Sequence, residues 1–223
     1  MGAPSLIAFD VNETLLDLGP IETNLETIFG ADPPMGEWFT RLLHGSLVAN
    51  TLGQFRSFGD IAAEALINLA GRRGLLLRAE DALEALAPMS RLPPHPDVLP
   101  GVRRLAEAGK RMVALTNGSR EVANAQIHNA GLADYLERAI SVDEVGAFKP
   151  DPAPYRYAAQ LMGVAVDEML LVAAHDWDCA GAMSVGAGAV FVKRPGAVWG
   201  LPTPPPVRQV STIEELATAM GAA

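Results

Sequence analysis

The chain has 223 residues, of which 49% are hydrophobic and 19% charged, the composition of a globular protein with one large domain or a core with a small insertion. No stretch approaches the roughly 18 uninterrupted apolar residues of a membrane helix, so we expect no membrane contact. The formal charge of −9 disfavours nucleic acid and leaves a small molecule as the expected partner. The single cysteine, Cys179, forms no intrachain disulfide, and the first residues lack a secretory layout, so we expect a cytoplasmic protein.

The first half of the chain predicts one strand followed by helices. Residues 5–9 form a short apolar run, typical of a strand buried on both faces of a parallel sheet, and Asp10 stands where this strand ends. Apolar residues then recur at helical spacing, and Ser57-x-x-Asp60 predicts a helix start. The proline-rich segment 88–101 is interpreted as a linker without helix or strand.

After this linker, strands and helices alternate. Val98, Val102 and Leu105 predict a helix that ends at Gly109. Apolar runs at residues 111–116, 138–141, 169–173 and 189–192 predict strands, and Ser211-x-x-Glu214 predicts the start of a last helix. The alternation indicates an α/β fold, a doubly wound parallel-sheet core with a helical cap inserted after strand 1. We assign residues 1–15 and 97–223 to the core and residues 16–96 to the cap with its proline-rich return linker. Because ligands bind at the carboxyl ends of parallel strands, the cap is expected to form a lid over the site.

Four short motifs resemble those of a known family. They are FDVNETLLD around Asp10, LTNGS around Thr116, FKPDP around Lys149 and VAAHDWDCAGA around His175. Their order and approximate spacing are those of the haloacid dehalogenase superfamily, and the resemblance covers nearly the whole chain. It implies an α/β core with a cap after the first motif, which the periodicity predicts independently. Most members of that superfamily are phosphatases, so the residues must decide the reaction.

Two positions argue against a phosphatase. Asn12 replaces the second acid of the phosphatase pattern Asp-x-Asp, and an amide cannot protonate a leaving group. Ala174 stands where phosphatases carry a carboxylate for Mg²⁺, four residues before Asp178. Asp176 remains a substitute ligand, so a Mg²⁺-dependent phosphatase of a small phosphate ester stays the alternative.

An acid nucleophile that needs neither metal nor proton donor suits the displacement of a halide. The sequence resembles the L-2-haloacid dehalogenases, which implies that Asp10 attacks the halogen-bearing carbon and forms an ester that water then opens. We therefore expect hydrolysis of small 2-haloalkanoic acids to 2-hydroxy acids without metal or organic cofactor. A non-catalytic binding protein on the same scaffold is a third hypothesis.

The resemblance also implies partners for the nucleophile. Lys149 is expected to lie near Asp10 and Asp178 and to keep the nucleophile ionised, because a nearby cation lowers the pKa of a carboxylate. Tyr155 falls where the family places a tyrosine near the nucleophile, with Tyr157 as the competing candidate.

Substrate binding is expected of six residues. They are Arg41, Thr116, Asn117, Asn12, Tyr155 and Trp177. Arg41 resembles the cap arginine that faces the halide and the substrate carboxylate, and its fork of donors suits both anions, although a solvated surface charge is the alternative. Thr116 and Asn117 match a hydroxyl and an amide that bind the carboxylate, with a helix cap as the alternative, and Trp177 is expected to line the halogen pocket.

The fourth motif departs from the usual dehalogenase pattern of Ser-x-Asn before Trp-Asp. Ala173 and His175 occupy these two places, and a histidine can take a proton from water. Glu13, three residues past the nucleophile, is expected to orient His175 through its other ring nitrogen. The alternatives are a histidine bonded to a backbone carbonyl and a surface glutamate.

Two further expectations concern the remaining histidines and the oligomeric state. His44, His95 and His128 show no metal-ligand spacing, so we expect no metal site. Exposed apolar residues of the cap are expected either to form the face of a homodimer or to line the pocket. They are Leu42, Leu43 and Phe55.

Overall fold

The centre of the protein is a six-stranded parallel sheet, seen in a computed structural model that describes residues 4–222. The strands are β1 (Leu6–Phe9), β2 (Met112–Thr116), β3 (Ala139–Ser141), β4 (Met169–Ala173), β5 (Gly188–Val192) and β6 (Arg208–Val210). Their order is β3-β2-β1-β4-β5-β6, and all neighbouring strands pair in parallel. The chain therefore leaves β1 in the middle of the sheet, between the carboxyl ends of β2 and β4.

Helices cover the sheet and its carboxyl edge. Between β1 and β2 lie α1 (Gly19–Phe29), α2 (Met35–Leu52), α3 (Phe58–Arg72), α4 (Ala79–Leu86) and α5 (Val98–Glu107). The later helices are α6 (Arg120–Asn129), α7 (Pro152–Leu161), α8 (Asp176–Ser184) and α9 (Ile213–Ala219). Within residues 4–222, no helix combines the length and the apolar character needed to cross a membrane.

The α/β fold with a parallel sheet is confirmed. All four runs expected after the linker lie on strands, and the predicted cap of α3 is present, since the Ser57 hydroxyl accepts the N–H of Asp60 at 3.0 Å. The last helix is capped one residue later than predicted, because the Thr212 hydroxyl accepts the N–H of Glu215 at 3.0 Å. The three-residue strand β6 was not predicted.

The prediction of a linker without helix is wrong at its start, where residues Ala87–Arg91 form a 3₁₀ turn. The helix predicted from Val98, Val102 and Leu105 is present as α5, which begins at Val98 inside the proline-rich segment. Pro100 is tolerated there because the N–H groups of a first helical turn have no partner inside the helix.

Cap helix α2 is joined to the loop that carries Lys149. The side-chain amide of Asn50 donates to the carbonyl of Phe148 at 2.8 Å and accepts its N–H at 2.9 Å. The Phe148 ring stacks on Phe55, with centroids 4.8 Å apart. One continuous set of buried side chains joins these helices to the sheet, and the division into two domains stays a prediction.

We expected Leu42, Leu43 and Phe55 to be exposed. This prediction is wrong for Leu42, which is buried, and the other two are half-buried. Leu42 packs inside the cap, and Leu43 lines a cavity beside the carboxyl edge of the sheet. The exposed apolar residues of α2 are instead Leu47, Val48 and Leu52.

Candidate active site

Asp10 lies buried at the carboxyl end of β1 and is surrounded by donors. Its Oδ1 accepts from Lys149 Nζ at 2.8 Å, and its Oδ2 accepts from the Thr14 hydroxyl at 2.7 Å and lies 3.1 Å from His175 Nδ1. Burial by itself raises the pKa of Asp10, but the charges and hydrogen bonds of Lys149 and His175 outweigh burial and hold the pKa well below its ordinary value. The carboxylate is therefore ionised and fixed in orientation.

Lys149 is a fully buried cation between two carboxylates. Its Nζ donates to Asp10 Oδ1, to Asp178 Oδ2 at 2.6 Å and to the carbonyl of Leu115 at 2.9 Å, which uses all three of its hydrogens. Burial opposes the charge, yet Asp10 and Asp178 together raise the pKa of Lys149 above its ordinary value. The predicted grouping of these three residues is present in the structure.

Tyr155, rather than Tyr157, belongs to this network. The Tyr155 hydroxyl donates to Asp178 Oδ1 at 2.6 Å, whereas the Tyr157 hydroxyl donates to Glu144 at 2.7 Å. A side chain at position 181 would meet the Tyr155 hydroxyl 2.5 Å away, so Gly181 leaves the space in which the tyrosine reaches Asp178. Burial, with the charge of Asp178 next, raises the pKa of Tyr155, so the hydroxyl keeps its hydrogen and donates it.

His175 lies on the other side of Asp10, between two carboxylates and two aromatic rings. Its Nδ1 faces Asp10 and its Nε2 lies 2.8 Å from Glu13 Oε2, while Phe39 and Trp177 stack on its faces with centroids 5.3 and 5.0 Å away. Burial alone would lower the pKa of His175, but the bonds to both carboxylates raise it to about 10. Both nitrogens therefore carry hydrogen, and the resting ring is an imidazolium.

Two residues of this site were missed by the sequence analysis. The Thr14 hydroxyl donates to Asp10 and accepts the N–H of Ala174 at 2.9 Å, and the position of Thr14 four residues past the nucleophile was its only signal. Phe39 covers His175, and no signal in the sequence distinguishes it from a core residue.

Arg41 does not reach the site. Its guanidinium binds Glu37 Oε1 at 2.8 Å and Asn68 Oδ1 at 3.3 Å, which directs it toward α3. Phe39, two residues earlier on α2, faces His175 instead. Since successive helix residues are separated by about 100°, positions two apart point in nearly opposite directions, so Arg41 does not face the Asp10 network. Binding of the halide by Arg41 stays a prediction.

Three other predicted substrate-binding side chains lie near the site but bind the protein. Asn117 accepts the N–H of Lys149 at 2.9 Å, and Asn12 accepts from the side chain of Gln126 at 2.9 Å. The Thr116 hydroxyl accepts the N–H of Gly118 at 3.0 Å and keeps its own hydrogen to donate. Asn117 thus holds the backbone of the Lys149 loop and Asn12 binds a side chain of α6, which their sequence positions did not reveal.

A cavity of about 610 Å³ opens beside His175. Glu13, Phe39, His175 and Trp177 are among its lining residues, whereas Asp10 is not. Further carboxylates line the cavity: Asp17, Glu22 and Asp176. Trp177 therefore lines this cavity, and its contact with the halogen stays a prediction.

The residues around Asp10 do not fit Mg²⁺. Lys149 Nζ already lies between Asp10 and Asp178, where a divalent cation would be repelled. The carboxylate of Asp176 accepts the N–H groups of Trp177 and Gly200 at 2.7 and 3.0 Å, so each of its oxygens already binds the backbone. In the described part of the chain, no three His, Cys, Asp or Glu side chains are grouped to hold a metal.

The protein has an α/β fold, and the buried Asp10 network lies at the carboxyl edge of its sheet. A family model described as haloacid dehalogenase-like hydrolase matches residues 4–186, and the chain belongs to this family. The sequence is 29% identical to haloacetate dehalogenase H-2 of Moraxella sp. (strain B) over 195 residues, covering 85% of this chain and 86% of the relative. It is 30% identical to (S)-2-haloacid dehalogenase of Xanthobacter autotrophicus over 193 residues, covering 84% and 74%.

A solved structure shares the fold. It is that of L-2-haloacid dehalogenase from Xanthobacter autotrophicus with chloropropionic acid covalently bound, with a TM-score of 0.89 and 24% identity over 99% of this chain and 100% of the other. This likeness extends over both the sheet and the helices that follow β1.

Proposed function

We propose that this protein hydrolyses small 2-haloalkanoic acids to 2-hydroxy acids through an ester on Asp10, without a metal. The observation that carries the proposal is the ionised, buried Asp10, held by Lys149, Thr14 and His175 at the carboxyl end of β1. The haloacetate and (S)-2-haloacid dehalogenases among the relatives support the substrate class, and the covalent chloropropionic acid in the Xanthobacter structure supports the ester.

In the first step, a carboxylate oxygen of Asp10 forms a bond to C2, and the carbon–halogen bond breaks with its electron pair leaving on the halide. A halide needs no proton to depart. This agrees with Asn12, because its amide cannot protonate a leaving group and its oxygen accepts a hydrogen bond from Gln126. Lys149 keeps the carboxylate ionised before attack. We propose that Thr116 donates to the substrate carboxylate and that Trp177 borders the halogen.

In the second step, water opens the ester. Formation of the ester removes the negative charge of Asp10, which is one of the two charges that keep His175 protonated. The imidazolium then releases a proton through the cavity to solvent. Neutral His175 takes a proton from the attacking water at Nδ1 while Glu13 holds Nε2, and the products are the hydroxy acid, ionised Asp10 and imidazolium. The sum is one halide and one proton per substrate.

We also propose a reducing compartment such as the cytoplasm and a homodimer. Cys179 is buried, and burial raises the pKa of its thiol, which suits an unreactive side chain. Leu47, Val48 and Leu52 expose apolar surface on α2, which suits a second copy. Sedimentation equilibrium would test the dimer, with a monomer at all concentrations as the contradicting result.

A halide-release screen tests the activity. Chloroacetate, fluoroacetate and both enantiomers of 2-chloropropionate are incubated with the enzyme, with and without EDTA, and a simple phosphate ester with Mg²⁺ is run beside them. We expect halide release that EDTA leaves unchanged and that is absent in Asp10→Asn. Phosphate release stimulated by Mg²⁺, with no halide from any haloacid, would contradict the proposal.

A further inference from the structure

The backbone that follows Asp10 is held from outside at three successive carbonyls. Arg194 donates through Nη2 and Nε to the carbonyl of Thr14 at 2.8 and 3.1 Å, and the backbone N–H of His95 donates to that of Leu15 at 2.9 Å. The carbonyl of Glu13 lies 3.1 Å from Nε2 of the His95 ring. Of the three, only the Glu13 carbonyl depends on the side chain of His95.

The Glu13 backbone has a conformation that needs such support. Its φ is 59°, and within residues 4–222 it is the only residue other than glycine with a positive φ. Residues other than glycine, asparagine and aspartate rarely adopt this left-handed backbone conformation. It is in this conformation that the Glu13 carboxylate lies 2.8 Å from His175 Nε2.

His95 has the protonation state that this contact requires. A carbonyl only accepts, so Nε2 must carry the hydrogen. Burial and the charge of Arg194 lower the pKa of His95, against the opposing charges of Asp17 and Asp97. A neutral ring protonated at Nε2 is the form that donates to the Glu13 carbonyl.

We propose that His95 is a positioning residue of the hydrolytic step, holding Glu13 in its left-handed conformation so that the Glu13 carboxylate orients His175. This role rests on the proposed function, because it matters only if His175 activates water. His95 acts through Glu13 and lies in the segment that returns from the cap helices, so it couples that segment to the chemistry.

The protonation of His175 gives a test that needs no substrate. The His175 ring is followed by ¹⁵N NMR across pH in histidine-labelled protein. Its charged neighbours are Asp10 and Glu13, with Asp176 and Lys149 close by in the site. Because an opposite charge at hydrogen-bond distance shifts a pKa by about one unit or more, we expect His95→Phe to lower the titration midpoint of His175 by at least about one pH unit.

Matched variants separate positioning from general disturbance. Glu13→Gln should lower the midpoint of His175 by a similar amount, and His95→Phe should add nothing in the Glu13→Gln background. His95→Gln keeps an amide donor, so it should restore the wild-type midpoint of His175. The control His128→Phe, at an exposed position, should leave this midpoint unchanged. If His95→Phe does not fold, His95→Asn, whose amide is too short for the contact, replaces it. An unchanged midpoint in a folded variant would overturn the proposal.

Kinetics separate this proposal from the proposed function. In single turnovers, His95→Phe should leave the halide burst unchanged and slow product release from the ester about tenfold, with recovery in His95→Gln. Equal slowing of burst and hydrolysis would overturn the positioning role. Absence of halide release from wild-type enzyme would instead refute the proposed function, while the NMR titration would still decide whether His95 positions Glu13.

Discussion

The two sides of the Asp10 carboxylate are built differently. On one side, Lys149, Asp178 and Tyr155 lie within the core, and both Lys149 and Tyr155 donate hydrogen bonds to Asp178. On the other side, His175 is 11% exposed and its partner Glu13 41% exposed, beside the cavity. The buried side keeps one arrangement of charge, whereas the cavity side can exchange a proton with solvent. The proposed reaction needs both, because Asp10 would be an anion in one step and an ester in the next.

Removal of the buried cation should have the largest effect. Lys149→Met leaves Asp10 and Asp178 buried without their shared partner, so we expect loss of halide release and a decrease of about 3–5 kcal/mol in unfolding free energy. Urea denaturation and a halide assay measure both, with exposed Lys193→Met as the control. Full turnover in folded Lys149→Met would show that this side of Asp10 is dispensable.

On the cavity side, His175→Asn should separate the two chemical steps. We expect one equivalent of halide per enzyme, followed by hydrolysis slowed about 10²–10⁴-fold, because a general base is missing. Mass spectrometry of the peptide that contains Asp10 should detect the accumulated ester, and the exposed His128→Asn serves as the control. Steady turnover at the wild-type rate, or no burst of halide, would argue against a base that acts only on the ester.

The same side should make stability depend on pH. The pKa of His175 is raised from 6.5 to about 10, so its contribution is fully present below pH 6.5 and is lost as the pH rises through about 10. The pKa of Asp10 is depressed, so its contribution to stability is fully present above pH 3.8, which is its ordinary pKa. This contribution is lost as the pH falls further. Unfolding free energy should therefore fall from pH 6.5 to 10, by a few kcal/mol more in wild type than in His175→Asn. Parallel curves would contradict the charged resting state.

Arg41→Ala should have the smallest effect. Arg41 pairs with Glu37 at the surface, and exposed ion pairs contribute little, so we expect kcat/KM with the preferred haloacid to change by less than about twofold. Phe39→Ala, which removes the ring stacked on His175, is the comparison and should reduce the rate more. A large loss in Arg41→Ala would mean that the guanidinium turns toward the substrate when it binds.

The parts of the site that follow from sheet geometry were predictable from sequence. Asp10 and His175 end the neighbouring strands β1 and β4, so parallel topology brings them together wherever the helices lie. Lys149 and Asp178 occupy loops at the same edge. The pairing of His175 with Glu13 agrees with the position of Glu13 three residues past Asp10. The left-handed backbone of Glu13, however, is a tertiary feature that no sequence pattern indicates.

The parts that depend on helix phase or on hydrogen-bond competition were not predictable. In the segment Trp38-Phe39-Thr40-Arg41, the sequence does not show which residue faces the sheet, because packing of α2 on α3 sets the rotation. Asn117 has a polar amide that suits a ligand or a backbone equally well, and only the position of the Lys149 loop decides between them.

The origin of the product oxygen tests the Asp10 ester most directly. Excess enzyme is allowed one turnover of 2-chloropropionate in ¹⁸O-water, and both the hydroxy acid and the peptide that contains Asp10 are weighed by mass spectrometry. The ester route predicts an unlabelled product and one ¹⁸O in Asp10, because water attacks the carbonyl carbon of the ester. A labelled product with unlabelled Asp10 would mean that water displaces the halide directly, and the nucleophilic role of Asp10 would be refuted.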